Sequence, residues 1–473
     1  MIISFIIFEQ HIYSIVYNMY TMPFIRRIKK PSGVYLALVE SRWENGRSRQ
    51  HVIKYLGKEV EGGKPARRVM SDNISVIEVR KHLDVEIIDR LASELGIKDK
   101  VQKEALVMVY SQLLDRPSIN RMEEWLDSTD ILEMLDIKSI TAAQLYNALE
   151  ELGTMDFSMV EGTIRKSLSQ NEEKRSLIID VTDTYFEGES MDDEPRRGKD
   201  GKVRKLLQIS LAVTEKHGFP IFHRVYGGNI SSKRMITDML VTLERSGYDG
   251  VIMDRGFYAR RNLTDLLSLN LKVICGVVKE GSIRPVLNRL DRGSIYSKKN
   301  MVKLRNTAVY CTAINYMEGK LIVVYNPYLE AIKRERYYES GSDEGVAGML
   351  GYSLIYHNTD MEDEAVIKKY FEKDTVERSF RQMKGIISLR PVRVWLKSHV
   401  TAHVRICYMA YAILSLLEYK VSGMEISGAE AFEILSTGYR VMLNDRENGL
   451  KWDAVVEMSK KQSEIRNLVY KNG

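Results

Sequence analysis

SLIIDVTDTYFEG, residues 176–188, is the stretch that decides the fold of this chain. Its first part, Leu177-Ile178-Ile179, is an unbroken apolar run, which is typical of a strand buried on both faces of a sheet. The run ends on Asp180. A carboxylate at the C-terminal end of such a strand points out of the sheet edge, where ligands gather in α/β folds. The stretch therefore predicts a central strand that carries a candidate site residue, Asp180.

The same pattern recurs in GVIMDRG, residues 250–256, where Asp254 ends the apolar run Val251-Ile252-Met253. Strand-like and helix-like segments surround the two stretches in a regular order. The strand-like segments are RKLLQISLAVTEKHGF (204–219), PIFHRVYGG (220–228) and KVICGVV (272–278), and the helix-like segments are SKRMITDMLVTLERSG (232–247) and RRNLTDLLSLN (260–270). The order β-β-β-α-β-α-β predicts a mixed α/β core, with three hairpin-linked strands followed by crossovers.

Asp180 and Asp254 would lie on neighbouring strands of this sheet, where two carboxylates can share a divalent metal. Mg²⁺ prefers a few carboxylates together with waters and phosphate oxygens. Two such ions about 4 Å apart can activate an attacking oxygen and stabilise a leaving one. A third carboxylate is usually needed, and Glu377 is the candidate because it lies on a predicted helix after the sheet. Asp183 could also lie near the metals, although a structural role is favoured.

Glu377 belongs to YFEKDTVERSFRQMK, residues 370–384, which has a helical pattern. At about 100° per residue, Tyr370, Lys373 and Lys384 share one narrow stripe of that helix with Glu377. A tyrosine, two lysines and a carboxylate on one face can serve a metal and a DNA backbone together. Each signal also has an ordinary alternative. An aspartate after an apolar run is commonly a turn or cap residue, and a charged stripe is commonly just solvated.

Taken together, three motifs resemble those of insertion-sequence DDE transposases. They are Asp180-Val181-Thr182 with Tyr185-Phe186, Asp254-Arg255-Gly256, and the spaced pattern Tyr370-x₂-Lys373-x₃-Glu377-x₆-Lys384. The third matches the Y-x₂-R-x₃-E-x₆-K signature of the branch whose core carries a β-rich insertion. Further likenesses are Gly228-Asn229 after the third strand, Tyr35 with Tyr55-Leu56-Gly57, and Ala402-His403-Val404. The resemblance covers roughly residues 24–420.

The chain departs from the family pattern at two positions. Lys373 replaces the arginine of the signature, which keeps the charge but loses the planar fork that grips phosphate. Ser232 stands where the family often has an aspartate, three residues after the Gly-Asn pair.

The resemblance implies an RNase H-like fold and a DNA transposase that binds terminal inverted repeats, as a homodimer in the end complex. Such an enzyme cleaves DNA and transfers the freed strand, here by cut-and-paste movement through a hairpin intermediate. The implied site residues are Asp180, Asp254 and Glu377 for two Mg²⁺ (or Mn²⁺) ions per active site, and Tyr370, Lys373 and Lys384 for the DNA phosphates beside the cut. Two alternatives are an RNase H-like structure-specific DNA endonuclease without strand transfer, and an inactive transposase-derived protein that only binds DNA.

The pattern along the chain predicts five regions. They are an over-extended N-terminus at 1–21, a basic β-hairpin unit at 22–60, a helical and possibly DNA-binding region at 74–170, an RNase H-like catalytic core at 176–420 with a β insertion at about 280–363, and a C-terminal helical region at 421–473. In the second region, the Glu44-Asn45-Gly46 turn suits a hairpin. Basic residues such as Arg47 and Arg49 decorate that unit, and few acids interleave, so a DNA-backbone contact is slightly favoured over a merely solvated surface.

Bulk properties narrow the class of protein. The chain has 473 residues, of which 44% are hydrophobic and 28% charged, which is typical of a globular protein of two to four units. The net charge of +6 is mild for a nucleic-acid binder, so the distribution of charge matters more than the total. Three widely spaced cysteines indicate neither a zinc module nor a disulfide framework, and they favour a reducing, cytoplasmic location.

Residues 1–20 are apolar but are interrupted by polar residues, and they lack the positive start of a signal peptide. They also fall short of the nearly uninterrupted apolar run of about 20 residues that a membrane span needs. We therefore expect no membrane association, and a natural start at Met22.

Overall fold

The computed structural model describes residues 23–31, 33–44, 47–60, 64–66, 73–171, 176–185, 196–197, 203–278, 291–305, 307–339, 350–371, 374–387, 389, 394, 396–447 and 449–471. Two compact units are present. The first, which we call the β unit, comprises Met1–His82 and Thr437–Met458, and the second, the core unit, comprises Leu83–Ser436 and Ser459–Gly473.

The described residues form both strands and α-helices. The strands are β1 (Phe24–Lys30), β2 (Gly33–Glu44), β3 (Arg47–Val60), β4 (Lys64–Ala66), β5 (Ile74–Lys81), β6 (Ser176–Tyr185), β7 (Arg196–Arg197), β8 (Val203–Arg204), β9 (Leu206–Thr214), β10 (Pro220–Gly227), β11 (Gly250–Met253), β12 (Lys272–Val277), β13 (Met301–Lys303), β14 (Ala308–Tyr316), β15 (Gly319–Tyr325), β16 (Tyr352–His357), β17 (Tyr439–Asp445) and β18 (Leu450–Val455). The α-helices are α1 (Leu83–Glu94), α2 (Lys103–Leu113), α3 (Ile119–Leu126), α4 (Ile131–Met134), α5 (Ala142–Thr154), α6 (Ser158–Leu168), α7 (Ser232–Ser246), α8 (Arg260–Ser268), α9 (Arg292–Ile295), α10 (Pro327–Glu339), α11 (Asp363–Phe371), α12 (Asp374–Lys384), α13 (Lys397–Val421), α14 (Gly428–Leu435) and α15 (Lys460–Tyr470).

The described residues of the β unit form two antiparallel sheets. The first has the order β1-β2-β3-β4. The last residue pair between β2 and β3 is Glu44 with Arg47, on either side of the Asn45-Gly46 dipeptide. The second has the order β18-β17-β5, so it joins strands from the two ends of the chain.

The second sheet corrects two sequence predictions. Residues 74–81 form a strand, although the helical region was predicted to begin at 74, and 439–455 form a hairpin within the C-terminal segment predicted to be helical. The physical reason is that the three strands stabilise one another across the chain, because Val441 pairs with Val79 on one side and with Ala454 on the other. The alternating burial of β18 also fits a strand rather than a helix.

Nine of the described strands of the core unit form one sheet with the order β10-β9-β6-β11-β12-β16-β15-β14-β13. β6 pairs antiparallel with β9 and parallel with β11, and β11 pairs parallel with β12. Three hairpin-linked strands followed by two parallel crossover strands are the RNase H-like arrangement. The predicted fold class, a mixed α/β core of this type with C-terminal helices, is confirmed.

The predicted β-rich insertion extends this same sheet. β16 pairs antiparallel with β12, and β15, β14 and β13 follow it outward to the sheet edge. The sequence predicted little helix before Glu364, and this is wrong, since α10 occupies Pro327–Glu339. Its apolar and charged residues are spread around the helix, so the amphipathic pattern that would predict it is weak.

The two faces of the sheet carry different helices. Leu177, Ile179, Val181 and Met253 pack in one hydrophobic core with α7 and α8, and we call this side the α7 face. Side chains alternate along a strand, so Ile178, with its even-numbered neighbours on β6, belongs to the opposite side, the α12 face. There α11 lies against β12, α12 against β6 and β9, and α13 against β10.

The helical region α1–α6 packs around α13, mainly through α5 and α2. In the part of the chain that the structure describes, α13 with the turn after it is the one helix long and apolar enough to cross a membrane, but 83% of its most apolar window is buried inside the protein.

A buried ionic cluster also ties α6 to the main sheet. The Glu161 carboxylate accepts a hydrogen bond from the backbone N–H of His223 at 2.9 Å. It also lies 3.0 Å from His223 Nδ1 and 3.2 Å from the Arg224 guanidinium. The helical region is therefore part of the framework that holds the nine-stranded sheet.

Candidate active site

Asp180 and Asp254 are neighbours across two parallel strands. Ile179 of β6 pairs with Met253 of β11, so the next residue of each strand is one of the two aspartates. The backbone at Asp254 stays extended (φ −77°, ψ 163°), so it continues the line of β11 beyond the last paired residue. Adjacent strands are about 4.8 Å apart, which brings the two carboxylates side by side.

Both carboxylate side chains lie on the α12 face of the sheet. Ile179 and Met253 point into the core of the α7 face. Alternation along an extended chain therefore turns Asp180 and Asp254 to the other side. Each of the two residues is half-buried. The pair brought together by the structure is thus the pair predicted from the two apolar runs.

Hydrogen bonds hold each carboxylate in place. Asp180 Oδ1 accepts a hydrogen bond from the backbone N–H of Val181 at 2.8 Å. Asp254 Oδ1 accepts a hydrogen bond from the hydroxyl of Tyr370 at 3.0 Å. The loop that follows Asp254 is fixed by the buried Asn262, whose side-chain amide donates to the backbone carbonyls of Lys233 and Phe257 at 2.8 and 2.9 Å.

Tyr370 lies in α11, whereas Glu377 and Lys384 lie in α12. Residues 372 and 373, which lie between these two helices, are outside the described residues, so the predicted single stripe stays a prediction. Lys373, the remaining member of the predicted stripe, lies outside the described residues.

The second helix of the pair, α12, presents a basic group to the sheet. Val376, Phe380 and Met383 are buried and fix its apolar face. The Lys384 ammonium donates a hydrogen bond to the hydroxyl of Thr182. Thr182 is two residues beyond Asp180 on the same face of β6, so a positive charge lies beside the candidate carboxylates.

Glu377 is exposed on α12, two turns before Lys384. Among the described residues, no three His, Cys, Asp or Glu side chains are close enough together to hold a metal ion. Glu377 shares a helix with Lys384 but does not form a cluster with Asp180 and Asp254 in this structure. Asp183 lies an odd number of residues from Asp180, so its side chain points to the α7 face.

Gly276 is a residue of the site that the motifs did not identify. Met253 pairs with Cys275, so Gly276 is the next member of the row formed by Asp180 and Asp254. A Cβ atom at Gly276 would overlap the Tyr370 hydroxyl. The signal in the sequence was a lone glycine inside a strand, which commonly marks a close approach of another group.

The other predicted DNA contacts, Arg47 and Arg49, lie in the β unit. Both side chains are exposed on β3, and the register places Arg49 opposite Arg42 of β2.

Residues 171–413 match the family described as Transposase DDE domain. The chain belongs to the DDE transposase family. Among solved structures, a piggyBac transposase synaptic complex with hairpin DNA is similar at 11% sequence identity and a TM-score of 0.41, over 78% of this chain and 71% of that chain. No curated protein matches the sequence significantly.

DDE transposases generally use divalent metal ions, and the donor set here fits one in part. Asp180 and Asp254 supply hard carboxylate oxygens on one face of the sheet. A Mg²⁺ ion is commonly held by one or two carboxylates together with waters and substrate phosphates. The aspartate pair therefore suits such an ion, while the described side chains do not assemble a third carboxylate beside it.

Proposed function

We propose that this DDE transposase binds the terminal inverted repeats of its element, cleaves the DNA at their ends and transfers the freed strand to a target by cut-and-paste. The observation that carries the proposal is the side-by-side placement of Asp180 and Asp254 on parallel strands of an RNase H-like sheet. The match of the Transposase DDE domain to residues 171–413 supports the same chemistry.

In the proposed site, Asp180, Asp254 and Glu377 would hold the metal. Two Mg²⁺ (or Mn²⁺) ions held there would supply activation of the attacking oxygen and stabilisation of the leaving oxygen of the phosphodiester. Glu377 lies on the helix that packs against β6, and its carboxylate is exposed, so a change of side-chain rotamer is the movement that would bring it toward the aspartates. Binding of DNA and metal would favour that rotamer.

The remaining residues of the signature position the DNA. Lys384 holds a positive charge beside Asp180, where the phosphate to be cut would lie. We assign Lys384 and Lys373 to contacts with phosphates next to the cut, and Tyr370 was predicted to do the same. The spacing of these residues supports membership of the branch with the Y-R-E-K signature. Catalysis would come mainly from positioning and electrostatics, as in phosphoryl transfer generally.

DNA outside the active site would be bound by the β unit. Arg47 and Arg49 are exposed on β3, and Arg49 is paired directly with Arg42. Arg42 is already paired with the Glu40 carboxylate, so Arg47 and Arg49 are the exposed guanidinium groups of this strand pair that a DNA phosphate would contact. We also propose that the protein forms a homodimer in the end complex and that it is located in the cytoplasm.

A strand-transfer assay tests the proposed function. Purified protein is incubated with Mg²⁺, a labelled DNA that ends in the element's inverted repeat, and a supercoiled target. We expect cleavage at the repeat and joining of the labelled strand to the target. Cleavage without joining would instead indicate a structure-specific endonuclease, and binding without cleavage an inactive transposase-derived protein.

A further inference from the structure

The contact between Tyr370 and Asp254 joins helix α11 to the end of strand β11. The tyrosine hydroxyl lies 3.0 Å from Asp254 Oδ1, and the tyrosine side chain is only 8% exposed. Val366 and Ile367 on the same helix are also buried, so the helix is fixed against the sheet. The hydroxyl is therefore held at one oxygen of the carboxylate by the packing of its whole helix.

Gly276 makes this approach possible. The hydroxyl of Tyr370 occupies the space where any other residue at 276 would have its Cβ atom. The same Cβ would also lie 2.9 Å from the backbone nitrogen of Arg255, directly after Asp254. A side chain at this position would thus push Tyr370 away from Asp254 and press on the loop that follows it.

The hydrogen bond has a fixed direction. A carboxylate has only acceptor oxygens, so the Tyr370 hydroxyl donates its single hydrogen to Asp254 Oδ1. While it does so, that hydrogen is not available to a DNA phosphate, which argues against the contact predicted for Tyr370 from the signature.

We propose that Tyr370 is a positioning residue, whose hydroxyl orients the Asp254 carboxylate for metal binding, and that Gly276 is the residue that leaves space for it. The inference rests on the proposed function, in which Asp254 is a metal ligand. Groups that hydrogen-bond to a metal-ligating carboxylate fix its direction, and their loss commonly weakens metal binding about ten- to a hundredfold.

The test measures metal binding without DNA and without turnover. The full chain is titrated with Mn²⁺, and the free ion is followed by its electron paramagnetic resonance signal. We expect Tyr370→Phe to weaken Mn²⁺ binding by about tenfold and to leave the affinity for end DNA unchanged.

The matched control is Tyr110→Phe in the helical region. Tyr110 also donates a hydrogen bond to a carboxylate, Asp89 Oδ1, at 2.8 Å, and it too is buried. Tyr110→Phe removes the same kind of bond far along the chain from the site, so we expect a comparable loss of stability and unchanged Mn²⁺ binding.

Gly276→Ala provides the second variant. It should weaken Mn²⁺ binding in the wild-type background and weaken it much less in a Tyr370→Phe background, because the two changes remove the same hydrogen bond. Equal effects in both backgrounds would mean that Gly276 acts independently of Tyr370, and would overturn that part of the inference.

Asp254→Ala separates this inference from the function on which it rests. If Asp254→Ala abolishes Mn²⁺ binding but Tyr370→Phe binds Mn²⁺ like the wild type, the positioning role is overturned and the proposed site stands. If Tyr370→Phe instead weakens only the binding of end DNA, Tyr370 is a DNA contact. If Asp254→Ala binds Mn²⁺ normally, the proposed metal site itself fails, together with the inference.

Discussion

The ammonium group of Lys384 donates a hydrogen bond to the hydroxyl of Thr182, two residues beyond Asp180 on the same face of strand β6. Lys384 Nζ also lies 5.8 Å from the centroid of the Phe380 ring, one turn earlier in the same helix. An ammonium group has no lone pair with which to bind a metal. Its place beside Asp180 therefore favours a contact with the phosphate that the carboxylate site would receive.

Lys384→Ala should lower the rate of DNA cleavage about ten- to a hundredfold, because a hydrogen bond to a charged group contributes about 1.5–3 kcal/mol. The Mg²⁺ concentration that gives half-maximal rate should not change. Both quantities are measured by titrating Mg²⁺ in a cleavage assay with one DNA substrate that ends in the element's inverted repeat. Lys368→Ala is the control, since Lys368 is a surface lysine of α11 paired with Glu364. A variant that needs much more Mg²⁺, or that loses no activity, would contradict the assigned contact.

Glu377→Ala should abolish Mg²⁺-dependent cleavage and leave the affinity for end DNA intact, because the third carboxylate is needed for the chemistry and not for docking. The measurement compares cleavage and gel-shift binding for the same preparation. Glu364→Ala removes another exposed acid from the neighbouring helix and should be active. If Glu377→Ala cleaves at a near-normal rate, the third ligand is a different residue.

The double variant Arg47→Ala, Arg49→Ala should weaken DNA binding and reduce its dependence on salt. Log affinity falls with log salt by about 0.9 for each phosphate that is neutralised. The slope of the variant should therefore be less steep by up to the amount that two phosphate contacts contribute. The double variant Lys460→Ala, Lys461→Ala makes the same change of charge on the exposed first turn of α15. An unchanged affinity and slope in the arginine variant would mean that this surface is merely solvated.

The Glu161 cluster predicts how stability depends on pH. Burial by itself would raise the pKa of Glu161, but the hydrogen bonds and charges of His223, together with Arg224, outweigh it and hold the pKa below its usual value. Since the pKa is lower in the folded chain than in the unfolded chain, this stabilisation is present above about pH 4.3, the ordinary glutamate pKa, and is lost as the pH falls through the folded value.

Thermal unfolding from pH 7 to pH 3 measures this effect. The melting temperature of the wild type should fall below about pH 4.3, and Glu161→Gln should show a smaller fall with pH. Glu161→Gln should also be less stable at pH 7, since removal of one partner from a buried ion pair costs about 3–5 kcal/mol. Glu150→Gln, a partly exposed acid of α5, is the control. Parallel pH curves for wild type and Glu161→Gln would show that the cluster does not contribute.

The catalytic sheet was predictable because its strands have a strong local signal. The apolar runs before Asp180 and Asp254 are short, are bounded by polar residues, and alternate with two amphipathic helices, so their order along the chain gives the topology. The same runs locate the two aspartates, because the end of a buried strand is also the edge of the sheet.

Other parts of the structure depend on contacts that no local pattern reveals. Strands β5 and β17 belong to opposite ends of the chain and pair only after folding. The helical pattern around Tyr370 does not reveal which residue its hydroxyl contacts, so the partner of Tyr370 came from the structure alone. That partner, Asp254, is 116 residues away in sequence.

Cleavage of one end substrate by Asp180→Ala, Asp254→Ala and Asp183→Ala tests the central claim most directly. The first two residues share the α12 face, whereas Asp183 points to the opposite face of the same strand. We expect the first two variants to lose Mg²⁺-dependent cleavage while they still bind DNA, and their double variant to be no worse, because residues that act as a unit fail together. Asp183→Ala should cleave. Near-normal cleavage by Asp180→Ala or Asp254→Ala would contradict the account.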